Sequence, residues 1–149
     1  MLTLTPIETV RDETKTPIVQ GWGKVVSDLV FDERYTEGLD GIEDYSHVLV
    51  LFWLGEAGPP KSLKGHVQGH GDLRVAGLAL GVNHLVLILL VSVLYLLFIA
   101  IRTSCVQGLD AIDGTPVLDI KPCTPAFDRV ENARVPEWCK RVYEVEDYF

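Results

Sequence analysis

Short apolar or alternating runs separated by turn residues make up most of this 149-residue chain. Alternation with a period of two is typical of a half-buried strand, and a short continuous apolar run is typical of a buried one. Five segments are predicted to be strands: 2–10, 23–31, 47–54, 104–109 and 117–120. The third reads HVLVLFWL, so we expect it to be buried on both faces. The pattern predicts a mainly β, single-domain fold with short helical turns, either a barrel or a mixed sheet.

The connections between these strands are polar and rich in Gly and Pro. Leu39 and Ile42 stand three apart, which predicts one short helical turn within 32–45. Residues 55–72 are predicted to be loop, and Asp113-Gly114 a turn. We assign residues 1–128 to the domain and predict that the tail, 129–149, packs on it with one last helical turn near 136–142.

The central part of the chain departs from this pattern. Between Arg74 and Arg102 no Asp, Glu, Lys or Arg occurs, and Leu85–Ile101 reads LVLILLVSVLYLLFIAI. Together with the residues before it, this run has the length of a membrane-spanning helix. The flanking arginines give no topological bias and no aromatic belt marks an interface, so a membrane span is the less favoured interpretation. A buried hairpin or a core helix is the alternative.

Composition narrows the classes of function. The formal net charge of −8 argues against non-specific nucleic-acid binding, which depends on Lys and Arg. Three widely spaced cysteines without a C-x-x-C pair indicate a reducing cytoplasm and predict neither a disulfide framework nor a zinc site. His66 and His70 are four apart, but the glycines around them disfavour a helix, and we predict no metal site.

Three motifs are more specific than composition. They are Pro17-Ile18-Val19-Gln20, the segment LDGIEDYSH over 39–47 that runs into VLVLFWL, and GLDAIDGTPVLDIKP over 108–122. Together they closely resemble the TsaA-like family, also called the TrmO or YaeB-like family. The resemblance covers residues 2–72 and 104–128.

The resemblance implies a small β-barrel that binds S-adenosylmethionine without a Rossmann fold and acts as a homodimer. It implies methylation of threonylcarbamoyl-adenosine in the tRNA anticodon loop. It implies no identified catalytic residue, and cofactor contacts from ten residues: Pro17, Ile18, Val19, Gln20, Gly55, Glu56, Asp110, Ala111, Ile112 and Asp113. From the residues alone, Asp113-Gly114 is equally well explained as a turn.

One family motif is missing. A central segment containing Arg-Pro-Asn-Pro is expected where the uncharged run stands, and this chain has none. The run is compatible with translation in a shifted reading frame over residues 73–105, and we state this as a hypothesis. Guanidinium groups hold phosphates and carboxylates in pairs of hydrogen bonds, so their loss predicts impaired activity. The alternatives are a non-catalytic relative and a small protein anchored in a membrane through Leu85–Ile101.

Overall fold

The computed structural model describes residues 3–18, 21–54, 64–67, 70–76, 89–100 and 102–140. Six antiparallel strands form a closed barrel and two more form a separate hairpin. The barrel strands are β1 (Glu8–Arg11), β2 (Val26–Phe31), β3 (His47–Trp53), β6 (Leu89–Ala100), β7 (Thr103–Gln107) and β8 (Pro116–Pro122). The hairpin strands are β4 (Lys64–Val67) and β5 (His70–Ala76), and the one α-helix bounded within the described residues is α1 (Pro125–Asp128).

The order around the barrel is β1-β2-β7-β6-β3-β8. The barrel closes where β8 meets β1, through the pairs Glu8↔Val117 and Thr9↔Pro116. Every neighbouring pair is antiparallel. Consequently β1, β3 and β7 run toward one end, which we call the upper end, and β2, β6 and β8 run toward the lower end. The prediction of a mainly β barrel is confirmed.

The barrel interior holds the apolar core. Alternate residues of β2 and β3 point inward, as the period-two pattern requires. The fully buried large side chains are Val10, Leu29, Phe31, Val48, Val50, Phe52, Val106, Leu109 and Val117. The prediction that β3 is buried on both faces is wrong, because Leu49 and Leu51 on its outer face are only half-buried. The inner face of β3 is buried in the barrel interior, whereas none of the described residues fully covers its outer face.

The lower end is connected by short 3-10 helices rather than by one helical turn. They span Glu33–Leu39 and Ile42–Asp44. The Asp32 side chain caps the first by accepting a hydrogen bond from the Arg34 amide, at 3.0 Å. Leu39 and Ile42, the pair that predicted a helical turn, are both buried and belong to the core cluster. These helices therefore close the lower end of the barrel with apolar side chains.

The uncharged run contributes a barrel strand. Over Leu89–Ala100 it is β6, which pairs with β3 on one side and β7 on the other. The interpretation as a helix, in a membrane or in the core, is wrong for these residues, and Leu85–Ile88 lie outside the described ones. In the part of the chain with described positions, no helix is both long enough and apolar enough to cross a bilayer.

Two other connections differ from expectation. The predicted loop over 55–72 contains the hairpin β4–β5, in which His66 and His70 lie on different strands. Its remaining residues, 55–63 and 68–69, are outside the described part. In the tail, 137–140 is helical and 129–137 is exposed, whereas Trp138 and Cys139 are half-buried. Residues 141–149 are not described, and packing of the tail on the domain stays a prediction.

Candidate functional site

The upper end of the barrel collects the segments that sequence analysis singled out. Pro17 and Ile18 lie in the β1–β2 connection, and Asp110–Asp113 lie in the β7–β8 connection. The strand that leads to residues 55 and 56, β3, also ends there. Val19, Gln20, Gly55 and Glu56 themselves are outside the described residues. The topology thus brings two predicted segments, Pro17–Ile18 and Asp110–Asp113, to one end, which the spacing along the chain does not require.

The β7–β8 connection crosses this end because its two strands are not neighbours. Residues 108–115 pass over the upper ends of β2 and β1, and backbone hydrogen bonds join them there. Gly108 N donates to Val25 O at 2.9 Å, and Gly114 N donates to Val10 O at 2.9 Å. Gly114 has a φ of 85°, a conformation that a glycine adopts without strain. The predicted turn at Asp113-Gly114 is confirmed.

Asp113 links this turn to the β1–β2 connection. Its Oδ1 accepts a hydrogen bond from the Asp12 amide at 3.3 Å, and its Oδ2 lies 2.8 Å from Lys15 Nζ. Arg11 Nη1 is 4.0 Å from Oδ1. The Asp113 amide in turn donates to Thr14 O at 2.8 Å. The side chain of Asp113 therefore serves to position the two loops against each other, in addition to any contact with a ligand.

Asp12 extends these contacts into the barrel. Its Oδ2 accepts a hydrogen bond from Ser27 Oγ at 2.8 Å, and its Oδ1 accepts one from the Thr14 amide at 2.7 Å. Ser27 is fully buried on β2, so Asp12 is held from inside. These contacts connect five residues into one group, which we call the Asp113 cluster: Arg11, Asp12, Lys15, Ser27 and Asp113.

Two further hydrogen bonds hold the segment that carries Pro17 and Ile18. The Trp22 indole donates to Ile18 O at 3.1 Å, and Gln107 Nε2 donates to Gly23 O at 3.0 Å. Ile18 is 39% exposed although it is apolar. Ile18 therefore offers an exposed apolar side chain on a segment whose backbone is held.

The other predicted residues of the β7–β8 connection lie in different environments. Ala111 is buried, at 2% exposure, so it contributes packing and backbone rather than an accessible side chain. Asp110 and Ile112 are partly exposed. The Ile112 carbonyl accepts a hydrogen bond from the Thr115 amide at 3.1 Å. Of this connection, Asp110, Ile112 and Asp113 are partly exposed at the upper end.

Electrostatics favour ionised groups here. The hydrogen bond from Lys15 is the main reason that the pKa of Asp113 lies below its ordinary value, with the Asp12 amide and the charges of Lys15 and Arg11 acting in the same direction. Arg11 and Lys15, which contact Asp113, are exposed, and so is Lys24 at the end of the β1–β2 connection. Carboxylates and cations side by side suit a ligand that carries both signs of charge.

Sequence analysis missed four of the five members of the Asp113 cluster. Asp12 and Thr14 have the spacing of an Asx turn, which was the available signal. Nothing local indicates that Asp12 meets a residue 101 positions away. His47, the last residue of the motif over 39–47, lies at the lower end of β3, where its Nδ1 is 2.8 Å from Ser46 Oγ. It is half-buried, and β3 separates it from the Asp113 cluster.

Comparison with known proteins agrees with this fold. The family model of the tRNA-methyltransferase O N-terminal domain matches residues 8–129. An S-adenosyl-L-methionine-binding protein of Archaeoglobus fulgidus is 31% identical over 85% of this chain and 93% of its own length. A putative S-adenosylmethionine-dependent methyltransferase of Pseudomonas aeruginosa, RcsF, is 38% identical over 70% of this chain and 45% of its own length.

Among solved structures, TrmO from P. aeruginosa superposes with a TM-score of 0.73 at 26% identity, over 93% of this chain. The chain spans 62% of that TrmO chain, and 33% and 62% of two other curated relatives, from A. fulgidus and Pyrococcus abyssi. The match of sequence and fold extends across the barrel and includes both connections that meet at its upper end. The chain belongs to the family of the TrmO N-terminal domain.

Proposed function

We propose that this chain binds S-adenosyl-L-methionine at the upper end of the barrel and serves as the cofactor-binding part of a tRNA methyltransferase. The observation that carries the proposal is the meeting of the Pro17–Ile18 and Asp110–Asp113 segments around the Asp113 cluster. The relative from A. fulgidus, whose length this chain nearly spans, is named for binding the same molecule.

The chemistry of the upper end supports this ligand. S-adenosylmethionine carries a sulfonium, an ammonium and a carboxylate, together with ribose hydroxyls and an apolar adenine face. Asp110 is an acceptor suited to the ammonium or the ribose, and exposed Lys15 or Arg11 is suited to the carboxylate. Ile18 offers an apolar surface. In methyl transfer from sulfonium to nitrogen, the protein contributes mainly by holding donor and acceptor in line.

The acceptor that we propose is threonylcarbamoyl-adenosine in the tRNA anticodon loop. Its support is the family membership of the chain. The exposed cations Arg11, Lys15 and Lys24 lie at the upper end and are suited to RNA phosphates despite the net charge of −8. A nucleotide bound beside these cations would be close to the donor.

We expect methyl transfer by this chain to be impaired. The family's Arg-Pro-Asn-Pro motif would precede β6, and β6 begins at the upper end. Without those guanidinium groups, fewer donors are available to hold the cofactor carboxylate and the RNA. A non-catalytic, cofactor-binding relative is therefore the second candidate function.

The assembly and compartment are also proposals. We propose a homodimer in the cytoplasm. All three cysteines are free, as a reducing compartment favours. Sedimentation equilibrium of the purified chain tests the dimer.

The proposal is tested by calorimetric titration of the purified chain with S-adenosyl-L-methionine. A dissociation constant in the micromolar range is expected, a working range for enzyme substrates. Transfer of a labelled methyl group is then measured on tRNA that carries threonylcarbamoyl-adenosine and on the same tRNA without that modification. Absence of binding would contradict the proposed function.

Two matched chains sharpen the result. One restores the Arg-Pro-Asn-Pro motif by translating the central segment in the shifted frame, and it is expected to transfer methyl groups faster than the present chain. The other carries Glu37→Gln, which changes an exposed residue at the lower end and should leave both binding and transfer unchanged. Binding without transfer in every chain would favour the non-catalytic candidate.

A further inference from the structure

A buried carboxyl group lies inside the barrel at its closing seam. Glu8 on β1 is 3% exposed, and neither of its carboxyl oxygens has a hydrogen-bond partner among the described residues. An ionised carboxylate without partners is very costly in such a place. The neighbouring inward position on β1 is occupied by Val10, which is fully buried.

The seam at which Glu8 lies is short. Strand β8 pairs with β1 through Glu8↔Val117 and Thr9↔Pro116, whereas β3 and β6 pair over seven residues. Backbone hydrogen bonds from Ile7 N to Val117 O, at 2.9 Å, and from Val10 N to Thr115 O, at 3.0 Å, continue it. Beyond the upper end of this seam β1 continues into Asp12 and Lys15, and the turn at Asp113-Gly114 leads into β8, so the geometry of the Asp113 cluster depends on this seam.

Among the residues with described positions, the charged groups around Glu8 give its carboxylate no compensation. On β8, Asp119 acts on Glu8 as a like charge, and both Asp119 oxygens lie 2.5 Å from Lys121 Nζ. On β2 the residue opposite Glu8 is Phe31, whose carbonyl accepts a hydrogen bond from Arg102 Nη2 at 3.0 Å.

The remaining charged groups on these strands are engaged elsewhere. Arg11 faces Asp113, and Asp32 binds Arg34 at 2.9 Å. Asp28 is exposed, paired across the sheet with Arg11 and Cys105. Burial, with a smaller contribution from Asp119, raises the pKa of Glu8 to about 8.

We infer that Glu8 is a proton switch of the β1–β8 seam: its neutral form allows the seam to close and hold the two loops of the candidate site together, and its ionised form loosens them. Because folding raises the pKa of this group from 4.5 to about 8, the folded chain holds a proton that the unfolded chain has released. The contribution of Glu8 to stability is therefore complete below pH 4.5, is lost as pH rises through about 8, and does not change further above that.

The first test is direct titration of Glu8. The wild-type chain is labelled with 13C at the glutamate side-chain carboxyl carbon, and the spectra are recorded from pH 4 to pH 9. The resonance absent from a Glu8→Gln chain should titrate near pH 8, and it should titrate at lower pH in Asp119→Asn, which removes the like charge. Titration near pH 4.5 with the exposed glutamates would overturn the inference. If Glu8→Gln does not fold, the shift in Asp119→Asn provides the assignment.

The second test measures whether the β1–β8 seam loosens when Glu8 ionises. Amide hydrogen exchange, corrected for its intrinsic pH dependence, is compared between the seam amides of Val10 and Gly114 and the amides of the β2–β7 pair. Seam protection should fall from pH 7 to pH 9 in the wild type and stay constant in Glu8→Gln, while the β2–β7 pair changes less. Equal behaviour of both sets would contradict a switch at the seam.

The consequence for the ligand rests on the proposed function. The affinity for S-adenosyl-L-methionine should fall severalfold more between pH 7 and pH 9 in the wild type than in Glu8→Gln, in which deprotonation of the ligand's own ammonium is the remaining cause of weaker binding. Unchanged wild-type affinity over this range would contradict the coupling of seam to site. If the chain binds no S-adenosyl-L-methionine at any pH, the proposed function fails, whereas the titration and exchange results still decide the switch.

Discussion

The two ends of this barrel are held together by different kinds of contact. At the lower end, two 3-10 helices place Leu39 and Ile42 into the core. At the upper end, the loops are joined by ion pairs and hydrogen bonds of Asp113 and Asp12. The cations of these ion pairs are exposed. Apolar closure stabilises a fold, whereas exposed ion pairs contribute little to stability, and polar loops held by a rigid scaffold suit a site. The contrast separates the structural end from the candidate functional end.

The largest effect is expected from the lower end. Ile42→Ala or Leu39→Ala should lower the free energy of unfolding by about 2–4 kcal/mol, because each removes a buried side chain and leaves a cavity. Urea denaturation measures this. The affinity of the remaining folded chain for S-adenosyl-L-methionine should not change. A large loss of affinity in folded Ile42→Ala would contradict the assignment of ligand binding to the upper end alone.

The next effect is expected at the upper end, with the opposite profile. Asp113→Asn removes the charge that holds Lys15 and should weaken S-adenosyl-L-methionine binding about tenfold, since a charged hydrogen-bond partner is lost. The urea midpoint should change little. Calorimetry on this chain and on the matched surface variant Asp44→Asn measures the difference. Equal affinities of the Asp113→Asn and Asp44→Asn chains would mean that Asp113 does not contribute to ligand binding.

A smaller effect is expected from acid. The pKa of Asp113 lies below the ordinary value of 3.8, mainly because of its hydrogen bond from Lys15. Ionised Asp113 therefore makes its full contribution to stability above pH 3.8. That contribution is lost only as pH falls through the lowered pKa of the folded state. Binding measured from pH 7 down to pH 4 should be nearly constant. A loss of affinity centred above pH 4 would show that another group controls the site on the acid side.

The smallest effect is expected for an ion pair on the surface. Arg34 binds Asp32 bidentately, but both side chains are exposed, at 68% and 42%. Exposed pairs contribute little because water and salt screen them. Arg34→Gln should leave the urea midpoint and the ligand affinity within measurement error. A clear shift in either would mean that the lower end has a role beyond packing.

Much of the fold could be predicted from the sequence, for a physical reason. Strands β2, β3, β7 and β8 were predicted from short alternating or continuous apolar runs bounded by turn residues, the patterns of half-buried and buried strands. The stretch from Leu89 to Ala100 shows no period of two, because nearly all its residues are apolar, and periodicity alone cannot separate a helix from a strand in that case. Pairing with β3 and β7 decides its conformation.

The candidate site was predictable only in part. A motif match named Pro17, Ile18 and the Asp110–Asp113 segment, and the barrel topology brings them to one end. The partners of Asp113 were not predicted, since Asp12 and Lys15 are distant in sequence and such contacts exist only after the barrel closes. The reading-frame hypothesis for residues 73–105 stays a prediction, and the coding DNA tests it: codons that forbid Arg-Pro-Asn-Pro in the shifted frame would end it.

Hydrogen exchange with and without S-adenosyl-L-methionine tests the central claim most directly, because it locates the ligand on the barrel. Added ligand should slow exchange in peptides covering 8–18 and 108–117 at the upper end, and leave peptides covering 32–46 and 121–130 at the lower end unchanged. Protection confined to the lower-end peptides, with none at the upper end, would contradict the account.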